Sequence, residues 1–538
     1  MLLSNLDLLA TAPGGVVRLR ELILTLAVQG KLVPQDPNDE PASELLKKIQ
    51  AEKSRLDAEG KIARVKPVAG LADAKEPFEL PSAWLWAQLG EITNYGATSK
   101  ASAIQPETWV LDMEDIEKSS GRLIQRFRFA ERPAISDKNR FTKGDVLYGK
   151  LRPYLNKVMV ADEDGVCTTE IIPFRCYGPY VPQYFKIVLS SPCFLDYVNV
   201  RSYGMKMPRL GTEDARAAPI PLPPLVEQSR IVARVEELMR LCDALEVKDR
   251  LEATQHAKLV RALLGTLTDS SMPEELAENW QRIAAHFDLL LDRPEAIDAL
   301  EQTIIQLAVR GLLSTQSPGD VPVSIGDREK SISAIPATWS RIALEDVLLE
   351  LRYGTSVKCG YEVNGKPVLR IPNIKGGAVD TADLKFGVLD EREMVKLCLE
   401  KGDILVIRSN GSASLVGSVA IVDAESEGFA FAGYLMRLRL KREFIEPSYL
   451  ILVMQTLEIR SQIETPIRTT SGVKNINSTE VSRLAFSLPP LAEQSRILLQ
   501  VAFLRRRCTD LRQQLASARQ RQSQLAQALV EQQSVATI

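Results

Sequence analysis

The run LPPLVEQSRI, Leu222 to Ile231, recurs as LPPLAEQSRI, Leu488 to Ile497, with nine of ten positions identical at a shift of 266 residues. Each copy opens on paired prolines, Pro223–Pro224 and Pro489–Pro490. Proline fits ahead of a helix or in its first turn and breaks a helix interior. No proline or glycine follows the first pair until Gly265, and none follows the second pair at all. Both copies therefore predict long helices. Val235, Leu238, Cys242, Leu245, Leu259 and Leu263 keep the four-three spacing of a coiled-coil seam. In the second copy Ile497, Val501, Leu504, Cys508, Leu511, Leu515, Ala518, Leu525 and Leu529 continue it.

Working outward, LPSAW (Leu80 to Trp84) answers IPATW (Ile335 to Trp339), and KGDVL (Lys143 to Leu147) answers KGDIL (Lys401 to Leu405). A further pair, LAVQGKL at Leu26 to Leu32 and LAVRGLL at Leu307 to Leu313, is out of phase. The unit that follows the first long helix also opens the chain. The order is a short helical segment, a strand-and-loop segment and a long helix, then the same three again, which predicts a circular arrangement with pseudo-two-fold symmetry. The short helices carry Leu19, Ile23 and Leu26 against Leu300, Ile304 and Leu307, and Gly30 and Gly311 supply left-handed C-caps. An antiparallel pairing of short and long helices is the simplest packing. Residues 33 to 76 are an insertion peculiar to the first copy, with a helical stretch near Ala42 to Leu56.

The strand-and-loop segments are built of short β-rich runs, Val146 to Tyr148, Lys157 to Val160, Ile404 to Ile407 and Val416 to Val422, divided by Gly, Asn and Asp. The fold class expected is α+β: two pseudo-repeated β-rich domains separated by antiparallel long-helix spacers. The expected division is 1–76 helical, 77–221 first β-rich domain, 222–332 central spacer, 333–487 second β-rich domain, and 488–538 a terminal helix packing with the N-terminal region. Trp84 and Trp339, at matching places, read as core anchors.

The 538 residues are 45% hydrophobic and 25% charged, the composition of an ordinary globular chain of several domains. Leu2 and Leu3 begin an apolar stretch that Asn5 and Asp7 interrupt, and no run reaches the length of a membrane span. The chain reads as cytoplasmic. Its seven cysteines include no CxxC pair, so neither a zinc site nor a disulfide framework is expected. The formal net charge is -2. Basic residues nonetheless crowd three stretches: Arg122, Arg126, Arg128, Arg132, Lys138, Arg140 and Lys143; Arg437, Arg439, Lys441 and Arg442; and Arg496, Arg505, Arg506, Arg507 and Arg512.

Motifs of catalysis fail one by one. Gly360 to Lys366 has the glycine and lysine spacing of a phosphate-binding loop, but Pro367 stands where a magnesium-holding hydroxyl is needed, and a strand-like run follows instead of a helix. Asp383-Leu-Lys385 is half of a nuclease motif. There is no dinucleotide loop, nucleophile elbow or paired-histidine metal motif. The only histidines are His256, which falls on the helix seam, and His286. No catalytic residue, metal ligand or cofactor is expected.

Two loop-rich segments, each followed by a PLPPL-x-EQ-x-RI type of helix start, resemble the specificity subunits of type I restriction-modification systems over essentially the whole chain. PLPPLVEQSRI, SLPPLAEQSRI, LAVQGKLVPQDPNDEPASELL (Leu26 to Leu46) and GDVLYGKLRPYLNKV (Gly144 to Val158) carry the resemblance. It implies that the β-rich segments are target recognition domains, each reading one half of a split DNA site. It also implies that the helices bind two modification (methyltransferase) subunits, with restriction subunits joining the complex. A helix of about 39 residues is about 58 Å long, which suits a ruler between two reading heads. The target adenine would be turned out into a partner's pocket, so catalysis would not reside here. Loop-borne donors are the expected DNA contacts: Lys150, Arg152, Asn156, Arg201, Lys206 and Arg209 in the first domain, and Arg408, Asn410, Arg468, Lys474, Asn475 and Asn477 in the second. Lys150 and Arg152, within the run shared with the family, suit a structural or phosphate role better than base choice. Two other readings stay open from the residues alone: a coiled-coil scaffold that reads no DNA, and a DNA-modifying enzyme without the usual motifs.

Overall fold

The computed structural model describes residues 11–62, 77–97, 104–133, 137–270, 272–325, 335–465, 468–470 and 473–535. Leu2 and Leu3 lie outside them. Five helices frame the description: α1 (Gly15–Val28), α2 (Ala42–Ala58), α3 (Leu225–Asp269), α4 (Pro294–Val309) and α5 (Leu491–Val535). The two long helices are 45 residues each, or about 68 Å at 1.5 Å per residue. The chain divides into two compact units, residues 1–251 with 519–538, and residues 252–518. The end of the chain thus belongs to the same unit as its beginning.

In the first unit the core joins Leu19, Ile23 and Ala27 of α1 to Ile231, Val235 and Cys242 of α3 and to Ala526 of α5. Arg18 on α1 donates to the Ser523 hydroxyl of α5 at 2.8 Å. In the second unit the corresponding core joins Ile297, Leu300 and Ile304 of α4 to Ile497, Val501 and Cys508 of α5 and to Val260, Leu264 and Leu267 of α3. Short and long helices run antiparallel. Gln35, beyond the end of α1, meets Glu227 while Arg20 meets Asp243, and Asp320 meets Arg496 while Asp298 meets Arg512.

The seam departs from a strict heptad at one place in each copy. Leu259 and Leu525 are exposed, and the next residues, Val260 and Ala526, are buried instead. A straight helix drifts about 20° per heptad against a 3.5-residue repeat, so over several heptads the buried stripe passes to the adjacent residue. His256 is a packing residue, its Nε2 3.2 Å from the Leu289 carbonyl and 3.3 Å from Asp292.

Gly30 and Gly311 end the short helices at φ of +70° and +75°. Left-handed backbone favours glycine, and a Cβ there would also lie 2.5 Å from Pro81 and 2.6 Å from Pro336.

Each β-rich domain enters and leaves the helical frame through one antiparallel strand pair, Leu85–Gln88 with Pro219–Leu222, and Ser340–Ala343 with Ala485–Leu488. The domain is a closed excursion from the scaffold. Within the first, a three-stranded sheet orders Val158–Val160, Val146–Gly149 and Ile171–Phe174, beside a four-stranded sheet through Trp109–Leu111 and Gly165–Thr168. The second is built on a six-stranded sheet in which Ile404–Ile407 lies between Leu435–Leu440 and Val419–Ile421. The run expected from Val416 starts later, because Gly417 turns at φ +85° and the strand begins at Val419.

Candidate nucleic-acid interface

The EQSRI segments hold the frame. Trp84 donates its indole N–H to Glu227 at 2.9 Å, and Gln35 donates to the other carboxylate oxygen at 2.7 Å. Trp339 and Gln316 do the same to Glu493 at 2.8 and 2.6 Å. Burial pushes the Glu227 carboxyl above its usual range, against the two donors that lower it. The next residue bridges as well: Gln228 accepts from the Val181 amide and donates to the Pro223 carbonyl, and Gln494 accepts from the Glu446 amide and donates to the Pro489 carbonyl. Arg230 pairs with Asp39, and Arg496 with Asp320. The Glu, Gln, Arg and Ile side chains of the motif are thus engaged within their own unit, and the motif anchors structure.

The three basic stretches are largely neutralised. Arg126 and Arg128 pair with Glu163, Arg132 with Asp115, and Lys138 with Asp112. Arg437 pairs with Glu350, Arg439 with Glu400 and Asp403, while Arg505 and Arg512 share Glu301. Most of these cations are thus held by carboxylates, while Arg506 and Arg507 of the third stretch are exposed.

A different cluster forms at matching places in the two domains. The strand Val146–Gly149 runs into Lys150, Leu151 and Arg152, and Leu151 bridges to Arg209 in a small hairpin closed by Tyr203 and Arg209. The strand Ile404–Ile407 runs into Arg408, Ser409 and Asn410, and Ser409 pairs with Asn475 of the hairpin Arg468–Thr470 with Val473–Asn475. The repeat shifts carry Lys150 to Arg408, Arg152 to Asn410, Pro208 to Lys474 and Arg209 to Asn475. One frame thus presents two different sets of side chains.

In the first domain Arg152 (φ +49°) and Asn156 (φ +50°) flank the turn Pro153–Leu155 in left-handed backbone, a costly conformation for residues other than glycine. The Arg152 amide donates to the Pro208 carbonyl at 2.7 Å, tying this turn to the hairpin. Arg209 is held by Glu170 at 3.2 Å, and Arg201 lies over the Tyr197 ring at 4.5 Å. Lys206 is exposed at the hairpin tip. Asn156 is buried, and its amide donates to the Ser190 carbonyl at 3.0 Å, so it supports the turn from within.

In the second domain the Arg408 guanidinium lies 4.7 Å over the Tyr353 ring and donates to the Gly433 carbonyl at 3.2 Å. The Tyr353 hydroxyl accepts from the Ser478 amide at 2.8 Å. Sequence reading named Arg408 and missed Tyr353, which lies 55 residues away and carries no local motif. Lys474 and Asn475 are half-buried on the hairpin, and Asn410 accepts from the Ser412 amide. Arg468 starts the hairpin, its backbone opposite Asn475. Asn477 caps the helix Ser478–Ser482 by accepting from Glu480 at 2.9 Å, a structural task.

No group of three or more His, Cys, Asp or Glu side chains among the described residues is placed to hold a metal ion. Asp383 is 3.2 Å from Arg370, and the Lys385 ammonium lies over the Tyr361 ring, so the half-motif does not converge on an open site. The seven cysteines are free thiols. No helix among the described residues is long and apolar enough to cross a membrane.

Residues 336–517 match the family model described as the type I restriction modification DNA specificity domain. The specificity subunits of the type I restriction enzymes EcoAI and EcoEI of Escherichia coli are each 32% identical to the chain, over 96% of it and 93% of the relative. A solved structure, described as the structural basis of complex assembly and conformational transition of the type I R-M system, covers 85% of this chain and 99% of its own at a TM-score of 0.52 and 19% identity. That likeness bears on the fold, which matches the repeated α+β plan described above. With a duplicated helical frame, two β-rich domains and this identity along nearly its whole length, the chain belongs to the family of type I restriction enzyme specificity subunits.

Proposed function

We propose that the chain is the DNA-reading subunit of a type I restriction-modification complex, acting in the cytoplasm on double-stranded DNA. Its two β-rich domains read the two parts of an asymmetric site. Two modification subunits dock on the helical frame and methylate adenine there, and restriction subunits join the same complex. The observation that carries this reading is the pairing of one frame with unlike tips: Lys150, Arg152 and Arg209 in one head stand where Arg408, Asn410 and Asn475 stand in the other. Scaffolds are alike because the same kind of partner docks twice. Tips differ because each meets different bases. Arginine pairs bidentately with guanine and asparagine with adenine, while lysine suits phosphate. The near-neutral chain fits this role if the partners supply much of the charge that neutralises the duplex.

Methylation-aware genome sequencing of a strain carrying the modification subunit, with and without this chain, tests the proposal. A two-part adenine-methylated motif that is present only with the chain supports it. Methylation that is independent of the chain contradicts it, and so does product formed by the purified chain alone with S-adenosylmethionine.

A further inference from the structure

The hairpin of the first recognition domain carries an apolar tip that the fold leaves uncovered. Met205 is fully exposed, and Tyr203 and Met207 beside it are exposed as well, at 62% and 46%. Single exposed apolar side chains are ordinary, but three within five residues on one projecting turn call for a partner surface. The tip is firmly held. Tyr203 and Arg209 exchange backbone hydrogen bonds of 3.1 and 2.9 Å, the Leu210 amide donates to the Lys150 carbonyl at 3.1 Å, and the Arg152 amide donates to Pro208 at 2.7 Å. Gly204 makes the turn at φ +100°. The apolar tip therefore shares one rigid mount with Lys150 and Arg152, and Lys206 stands between the two methionines. Flexible apolar side chains on either side of an exposed lysine suit a polyanion whose interior is apolar, that is, a stacked base step beneath a phosphate backbone. Proteins that kink DNA insert Met, Leu or Phe in this way while neighbouring cations hold the phosphates.

We infer that Met205 and Met207 form a wedge that enters a base step of the half-site read by the first domain, with Lys206 on the flanking phosphate. This rests on the DNA-reading function proposed above. The wedge unstacks that step and bends the duplex, so it sets the local DNA shape at a position where no side chain hydrogen-bonds a base. The corresponding positions of the second hairpin run Thr470-Ser-Gly-Val473-Lys474, which contains no methionine. The device belongs to one head.

The test uses the complex with its modification subunit and duplexes carrying the target found by methylome sequencing, with 2-aminopurine placed at successive positions other than the methylated adenine. The wild-type complex should raise fluorescence at one step of the first half-site and at none of the second. Met205→Ala/Met207→Ala should abolish that rise and slow methylation about tenfold, with the methylated motif unchanged, and Met205→Leu/Met207→Leu should restore both. Site-selective binding without any local rise, or a rise that persists in the double alanine variant, overturns the wedge and leaves DNA reading intact. Loss of the modification subunit from the alanine variant in the absence of DNA also overturns it, by assigning the tip to protein contact. Failure of the wild-type complex to bind any sequence selectively overturns the reading and the wedge together.

Discussion

Arg512 on α5 donates to Glu301 on α4 at 2.6 Å, and at the equivalent place in the other unit the charges are exchanged, Arg20 on α1 facing Glu246 on α3 at 3.2 Å. The repeat shifts carry position 20 to 301 and 246 to 512. Pairing α1 with α5 at this register would oppose two arginines, and pairing α4 with α3 would oppose two glutamates. Near-identical scaffolds in one chain invite such exchange, and like charges placed against the wrong partner disfavour it.

Arg20→Glu is expected to destabilise the first unit by about 1 kcal/mol, the scale of a partly exposed pair replaced by repulsion. Adding Glu246→Arg should recover part of this, since Asp243 still opposes the new glutamate. Denaturant titration of both variants measures the recovery. Equal stability of the single and double variants would show that the pair is not coupled.

Glu227→Ala should cost about 2 to 3 kcal/mol, because the buried Trp84 indole N–H is left without its acceptor, while Gln35 keeps the Gly30 carbonyl. Glu227→Gln keeps one acceptor oxygen and loses a desolvated charge, so it should cost less. Thermal unfolding of the two variants checks the order, and a glutamine variant as damaged as the alanine variant would contradict it.

Much of this scaffold is legible in the sequence because its causes are local. Paired prolines before a long seam dictate helix starts, glycines after Leu26 and Leu307 dictate caps, and matched tryptophans sit where an indole can be buried. The carboxylate that receives each indole is not legible, since Glu227 lies 143 residues from Trp84 and only the fold brings them together. Sequence crowding misleads at Arg126 to Lys138, whose carboxylate partners are mostly distant in sequence. The candidate recognition residues are partly legible: the turn after KGDVL and KGDIL is marked by repetition, but Asn156 faces inward and Tyr353 reaches Arg408 from another strand.

Arg408→Ala removes a guanidinium fixed on an aromatic ring. If it reads a base, the variant should lose about 1 to 3 kcal/mol of discrimination at one position of one half-site, leaving the other half unchanged. Lys150→Ala should instead weaken binding across sequences and lower its salt dependence. Binding measured at several salt concentrations on matched and single-mismatch duplexes separates the two. Equal loss on all duplexes for Arg408→Ala would assign it to phosphate.

Four residues inserted near Asp249, in the exposed stretch of α3 from Glu246 to Glu252, should lengthen the unread spacer between half-sites. One helical turn adds about 5.4 to 6 Å and base pairs stack about 3.4 Å apart, so the gain is one or two base pairs. Methylome sequencing of the insertion strain reads this directly. An active enzyme with an unchanged spacer would show that something other than α3 sets the distance.

The most direct test of two independent reading heads on one frame replaces residues 77–221 with the matching domain of another family member. The domain enters and leaves through the single strand pair Leu85–Gln88 with Pro219–Leu222, and the incoming domain must bring its own counterparts of Trp84 and Val181 to the retained Glu227 and Gln228. Methylome sequencing of the strain, with its modification subunit present, should show one half of the methylated site changed and the other half intact. A change in both halves, or in neither, would contradict the account.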